Sequence, residues 1–484
     1  MKQRAAVASN QKTALARPGL SSFWAQYRRK PYGMVGLAMV IAYVLVAVFA
    51  PLLTPYDPQK DLYLADRLAA PAWAGAVMAR FRGAPPTFKR NVGPGDWHVD
   101  EAKGGKLSSR EVEGQRVAEI ELTAASGDPE ARLVLSHPLH YTYNPPQTFN
   151  ARFEYSIDAP SDAVTQLQLE VVSPDGKRYN LWSSSVFGSS EKQEAKLDSR
   201  DLELKVRLGM TMFDDPATSI FSSRGDYQLV LTATSKAASG PSRIELGKLT
   251  FGVLGLLHGV LGADHMGGDL WAQLVYGARI SLMIGLVAAL ISVAIGTSVG
   301  IISGYLGGAV DEFLMRLVDV LLAIPNLPIL IILSAFLGKS VWNIVLLVAA
   351  FAWMGTARLV RSQTLSLRER VFVEAAKAAG ASDAYIMITH ILPNVLPLVF
   401  AAMVLRIPLA ILMEASLSFL GLGDPRVATW GRMLHNARNF GAFTVLAWWW
   451  LVPPGLAITC LSLAFVFVGN TVNEILNPRY RERT

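Results

Sequence analysis

The chain has 484 residues, 51% hydrophobic and only 17% charged, where an average soluble domain carries roughly 25% charged residues. That composition excludes a disordered chain, and a single cysteine excludes a disulfide framework or a thiolate metal cluster. The net charge of +7 is a matter of location: residues 54–250 hold 23 basic and 26 acidic residues, which leaves 22 basic and 12 acidic for an apolar remainder and points to membrane loops rather than to nucleic acid.

Residues 33–53 contain no charge over 21 positions, about 32 Å of helix and enough to cross a bilayer core. Trp24, Tyr27, Arg28, Arg29 and Lys30 precede this run as an aromatic and basic anchor. The run is too long for a signal-peptide core and lacks a small-residue cleavage site before Pro51, so it reads as an uncleaved first span with residues 1–32 on the cytoplasmic side.

Residues 54–262 follow a different pattern and are expected to form a β-rich, sandwich-like insert on the extracytoplasmic side. Phe149, Ala151, Phe153, Tyr155 and Ile157 occupy alternate positions, as do Leu167, Leu169 and Val171, and again Tyr227, Leu229, Leu231 and Ala233. Period two marks half-buried strands, and turn signals such as Pro174-Asp175-Gly176-Lys177 favour antiparallel pairing. The phrase from Gly225 to Leu229 resembles the strand that carries the tyrosine corner of immunoglobulin-like domains. No regular pattern emerges over residues 54–110, and the apolar run 251–262 is too short to span, which leaves a strand or an interfacial segment. Strands without alternating helices do not build a two-lobed α/β receptor, so the insert is not a fused binding protein. Its expected roles are docking a partner, extending the pore entrance or shielding the complex.

Residues 263–478 hold five further apolar runs: 280–302, 317–337, 342–354, 395–422 and 448–468. With the first span these make six and return the C-terminal tail, 479–484, to the cytoplasm. The expected inside segments carry Lys2, Arg4, Lys12, Arg17 and Arg28 to Lys30, then Arg358, Arg361, Arg368, Arg370 and Lys377, then Arg479, Arg481 and Arg483. The short outside loops between the later spans carry Lys339 and, in the longer one, Arg426, Arg432 and Arg438.

The cytoplasmic loop at about 362–395 reads Glu374-Ala375-Ala376-Lys377-Ala378-Ala379-Gly380 and later His390-Ile391-Leu392-Pro393-Asn394. The alanines favour a helix and Gly380 stops it, while Asp383 and Pro393 fit a turn and a second helix that ends at the proline. Such a helix-turn-helix is a surface on which another protein can dock. This arrangement resembles the EAA loop of membrane-spanning subunits in binding-protein-dependent ABC importers, and the His-x-Leu-Pro-Asn ending resembles their dipeptide and oligopeptide branch. Further phrases agree with that branch: Leu261 to Asp264 with Gly267-Gly268-Asp269, Tyr276 to Leu282, Gly304 to Gly308, Asp311-Glu312, Met315 to Asp319, Glu414 to Gly423 and Trp430-Gly431. Ala263 and Gly268 depart from the Thr and Arg usual there, the first external loop is longer than usual, and Arg406 stands where the branch has an apolar residue.

The resemblance implies an all-α polytopic permease with six transmembrane helices. It implies a homologous second permease, two ATP-binding subunits and an extracytoplasmic solute-binding protein as partners. It assigns coupling to Glu374, Ala375, Ala376, Gly380, His390, Leu392, Pro393 and Asn394. ATP and Mg belong to the partner subunits, and no catalytic residue, metal or cofactor is expected in this chain. Gly338-Lys339-Ser340 ends like a phosphate-binding loop, but Leu333 replaces its first glycine.

Arg406 and Glu414 are ionisable groups inside an apolar run and candidates for pore or interhelix roles. Eight residues apart, they share a face without meeting. Asp319, three residues after Arg316, is expected in a helix-start ion network and is a third candidate for a pore or interhelix role. His137 and His140 have no adjoining carboxylate or cysteine in sequence, and Cys460 reads as packing. Nickel or sugar-like solutes are alternatives to peptides within the class. A membrane-anchored sandwich sensor or adhesion protein and an ion-coupled transporter, hinted at by Pro325, Pro328 and Pro408, are the alternatives outside it.

Overall fold

A computed structural model describes residues 20–112, 115–124, 130–236 and 240–476. Lys2, Arg4, Lys12, Arg17, Arg479, Arg481 and Arg483 lie outside the described residues. The chain divides into two compact units, one formed by residues 1–60 with 271–484 and the other by residues 61–270.

The first unit is helical. Helices α1 (Leu20–Tyr27) and α2 (Pro31–Val48) are followed by α3 (Leu270–Leu306), α4 (Gly308–Ala323), α5 (Asn326–Leu337), α6 (Val341–Arg368), α7 (Val371–Ala378), α8 (Asp383–Phe419), α9 (Trp430–Asn439) and α10 (Trp448–Leu476). Among the described residues five helices are long and apolar enough to cross a membrane, or six if the α4–α5 pair counts as one span. That pair covers the expected span 317–337 and is sharply bent, its two helices meeting at 87°. Pro325 lacks an N–H and forces Ile324 into an extended conformation with ψ 127°, so the helix cannot continue.

Small residues set how these helices meet. A Cβ on Gly296 would lie 2.6 Å from the Trp353 carbonyl oxygen, one on Gly300 2.6 Å from that of Ala357, and one on Gly304 2.8 Å from Thr364 Cβ. Three glycines at intervals of four thus bring α3 into backbone contact with α6, a packing used where lipid supplies no hydrophobic drive between helices. Gly33 and Gly36 do the same for α2 against Thr471, Phe467 and Ala464 of α10.

Among the described residues the second unit is a sandwich of twelve strands: β1 (Phe88–Val92), β2 (His98–Lys103), β3 (Gly105–Val112), β4 (Gln115–Leu122), β5 (Glu130–Tyr141), β6 (Thr148–Asp158), β7 (Val164–Val172), β8 (Arg178–Phe187), β9 (Ser190–Asp198), β10 (Gly225–Lys236), β11 (Ser242–Leu246) and β12 (Leu249–Leu254). One sheet runs β1-β12-β6-β11-β4-β3 with β9 also paired to β6, and the other runs β2-β5-β10-β7-β8. The strands pair antiparallel, with Leu231 of β10 opposite Leu135 of β5 and Leu169 of β7. The alternating residues of β6, β7 and β10 named above are all buried between the sheets. Tyr227 Oη donates to the Ser223 carbonyl at 2.6 Å, which is the corner bond that its sequence context suggests. The apolar run that begins at Phe251 pairs as β12 with β1 and β6.

Candidate functional site

The elbow that carries the expected coupling residues is built from α7 and the start of α8. Arg370 leads into α7, Glu374 lies in its first turn and Lys377 in its last, charges placed to suit the helix dipole. Only Val373 of α7 is fully buried, and it packs with Ile301, Tyr305, Val360, Ile386, Ile391 and Val395. The helix ends where Gly380 takes φ +83°. There the Gly380 amide donates to the Lys377 carbonyl at 2.9 Å and the Ala381 amide to that of Ala376 at 3.1 Å. These paired bonds close the last turn as a Schellman motif, which needs a residue at ease with positive φ.

Ser382 caps α8, its hydroxyl accepting from the Tyr385 amide at 3.4 Å. Contrary to the expected stop, the helix does not end at Pro393 but runs to Phe419, with a π-helical stretch over Ile386–Ile391. Pro393 removes one backbone donor and crowds the carbonyl of Thr389, and the wider π turn accommodates both effects. Asn394 Nδ2 donates to the His390 carbonyl at 2.6 Å.

Two contacts to Tyr305 of α3 clamp the elbow. Tyr305 Oη donates to Asp383 Oδ1 at 2.8 Å, and Lys377 Nζ lies 4.9 Å from the Tyr305 ring centroid. Beside this clamp Arg361 of α6 holds Asp311 of α4 through two 2.5 Å bonds, and Ser303 of α3 donates to the same carboxylate. The rings of Phe372 and Tyr385 flank His390, with centroids 6.2 and 5.8 Å away. Glu374, Ala375 and Gly380 face outward, Ala376, His390, Leu392 and Pro393 are half-buried, and Asn394 is exposed. Around them Val371 is 80%, Phe372 41%, Tyr385 54% and Ile388 65% exposed. These side chains form an exposed apolar rim on a charged elbow, a patch suited to contact with another surface.

The structure brings the eight elbow residues together and leaves Asp319, Arg406 and Glu414 elsewhere. Asp319 lies beyond the middle of α4 and pairs with Arg358 of α6. Arg316, three residues before it, pairs instead with Glu312 one turn earlier at 2.7 Å. Glu414 is buried and accepts from Ser418 Oγ at 2.6 Å, one turn further along α8. The guanidinium of Arg406 lies against Gly355 of α6, where a Cβ would come within 2.3 Å of Nη2. In the β unit Asp226 meets His140, 2.6 Å from Nδ1, a carboxylate neighbour that pairing across β5 and β10 supplies and sequence adjacency does not.

The sequence reading missed the Tyr305 clamp, whose members are more than 70 residues apart. It also did not single out the apolar rim, although Val371, Phe372, Tyr385 and Ile388 are apolar residues in a segment read as a docking loop. The glycine stripe of α3 was likewise legible from its four-residue spacing.

The family described as binding-protein-dependent transport system inner membrane component matches residues 296–482, and the N-terminal TM domain of oligopeptide transport permease C matches residues 20–71. A putative peptide transport system permease protein of Brucella suis is 38% identical over 245 residues, covering 48% of this chain and 78% of that protein. The oligopeptide transport system permease protein OppC of Escherichia coli K12 is 42% identical over 221 residues, covering 46% and 72%. OppC of Haemophilus influenzae is 39% identical over 221 residues, covering 46% and 70%. The chain, with its multi-pass helical unit, therefore belongs to the family of inner-membrane components of binding-protein-dependent transport systems.

Proposed function

We propose that this chain is the membrane-spanning subunit of an ABC importer of di- and oligopeptides. It forms the translocation path together with a homologous second permease, and it receives solute from an extracytoplasmic binding protein. Two ATP-binding subunits dock on the cytoplasmic elbow, and ATP and Mg2+ are used there rather than in this chain. Both termini are then cytoplasmic, and the β unit lies outside. The observation that carries this reading is the elbow itself: a Schellman-terminated α7 clamped on the start of α8, with Val371, Phe372, Tyr385 and Ile388 left open around it. The substrate class rests on the likeness to peptide permeases.

In this mechanism, closure of the ATPase pair moves α7. Because α8 runs as one helix from Asp383 to Phe419, through the π-helical stretch at Ile386–Ile391 and past Pro397 and Pro408, a displacement at its cytoplasmic end is passed along its axis into the membrane. Tyr305 and the Asp311–Arg361 pair carry the same motion to α3, α4 and α6. Leu333 lies inside α5 where a phosphate loop needs a glycine, in keeping with ATP hydrolysis in the partners.

The test is Gly380→Val in the purified four-subunit complex, since a β-branched residue at φ +83° strains the turn by about 1–2 kcal/mol. The subunit is expected to insert and assemble, with ATP hydrolysis retained and peptide uptake lost. Normal uptake would contradict the assignment.

A further inference from the structure

Arg406 falls within the apolar stretch of α8, about 17 Å of helix from Val395 and therefore near the middle of the span. A guanidinium offers five N–H donors and cannot shed its charge to escape an apolar environment. Yet Arg406 makes no hydrogen bond or ion pair with any described residue. The acidic groups of neighbouring helices are engaged elsewhere: Glu414 with Ser418, Asp319 with Arg358, Asp311 with Arg361. Its guanidinium lies in the notch left by Gly355, where a Cβ would stand 2.3 Å from Nη2. It also points into the bundle. The preceding position on α8, Leu405, packs against Gly469 of α10, and Arg406 itself lies against Gly355 of α6, so two spans flank this part of the helix. An intramembrane cation so positioned, half-buried rather than enclosed, is directed at a water-filled cavity or at an anion that comes to it.

We propose that Arg406 is an anion-recognition site in the translocation path, where its guanidinium takes the carboxylate of a passing solute in a bidentate pair. This deepens the permease reading and rests on it. Arg suits the task because its planar fork matches a carboxylate and stays charged at every working pH. The site selects for substrates with a free carboxylate: a C-terminal carboxyl group fits, and a capped one leaves the guanidinium unmatched.

The experiment uses the complete transporter with its binding protein in proteoliposomes, supplied with a mixture of tri- to pentapeptides carrying either free C-terminal carboxylates or C-terminal amides, and lumenal peptides are read by mass spectrometry. Arg406→Gln is expected to cut entry of the free-carboxylate peptides about tenfold, the loss of one charge-assisted bidentate pair, while entry of the amides changes less than about twofold and ATP hydrolysis persists. Arg406→Lys is expected to fall between. Gly355→Ala keeps the charge but displaces the guanidinium, and it should reproduce the selective loss if the Gln variant assembles poorly. Entry of free-carboxylate peptides within about twofold of wild type, or an equal fall for both forms, would overturn the proposal. So would failure of both Arg406→Gln and Gly355→Ala to assemble, which would assign Arg406 to an acidic residue of the neighbouring permease. Absence of peptide uptake by the wild-type transporter would instead overturn the permease reading beneath it.

Discussion

The two units of this chain bury opposite kinds of residue. In the β unit the large apolar side chains point inward, so that Phe149, Tyr227, Leu231 and Phe251 are wholly enclosed and charges line the outside. In the helical unit Leu286, Leu290, Ile332 and Phe336 face outward, while Gly296, Gly300, Ser303 and Thr364 occupy the helix contacts. The difference follows from the surroundings each unit is built for. Water drives apolar surface together, so the sandwich closes on its aromatic and aliphatic faces. Lipid offers no such drive between helices, so close backbone approach and polar contacts must hold them.

The largest expected effect probes the first half of this contrast. Phe149 stacks on Phe251 with centroids 5.7 Å apart and meets Phe221 at 5.7 Å. Phe149→Ala is expected to destabilise the β unit by about 4 kcal/mol, seen by denaturant titration of the full chain followed through near-ultraviolet circular dichroism. A loss under about 1 kcal/mol would mean that the sandwich is not held by this core.

A smaller effect probes the second half. Gly300→Leu places a side chain into the Ala357 carbonyl and is expected to cost about 2–3 kcal/mol of helix packing, measured as loss of monodisperse protein in detergent on heating. The same change at the water-facing Gly176, where a Cβ would meet nothing within 4 Å, disturbs no packing, although its φ of +84° carries its own strain. A thermally unaltered Gly300→Leu protein would break the comparison.

The smallest effect is a pH dependence confined to the β unit. Burial pushes the Asp198 carboxyl upward, but its paired bonds from Arg200 at 3.0 and 2.9 Å prevail and hold it below the usual aspartate range. A carboxyl lowered on folding adds stability above its unfolded value, near 3.8, and that stability is lost as pH falls through the lower folded value. Arg200→Gln should therefore weaken the unit at neutral pH and flatten its further loss of stability in acid. Parallel acid titrations of variant and wild type would instead show that the pair adds nothing.

Legibility in the sequence followed the same division. Strands β6, β7 and β10 could be read because each buries alternate residues in the middle of a sheet. β1, β2 and β3 could not, since they are edge strands: β2 is exposed along its whole length, and β1 is exposed at Lys89, Arg90 and Asn91. Apolar runs revealed the spans, but their shape depended on backbone chemistry within them. Pro325 bends one run sharply, whereas Pro393 is absorbed by a π turn, and no local pattern distinguishes the two outcomes. In the elbow the alanines and Gly380 announced the first helix and its end. What fixes the elbow to the membrane helices, Tyr305 with Asp383 and Lys377, is set by tertiary distance and left no mark in the sequence.

The central claim is that the elbow receives the ATP-binding subunits, and the single native cysteine makes it directly testable. In a Cys460→Ser background, Phe372→Cys and Ile388→Cys should each form a cross-link to an ATP-binding subunit of the purified complex with a short bismaleimide, and Ser161→Cys in the β unit should not. Cross-linking at position 161 with none at 372 or 388 would contradict the account.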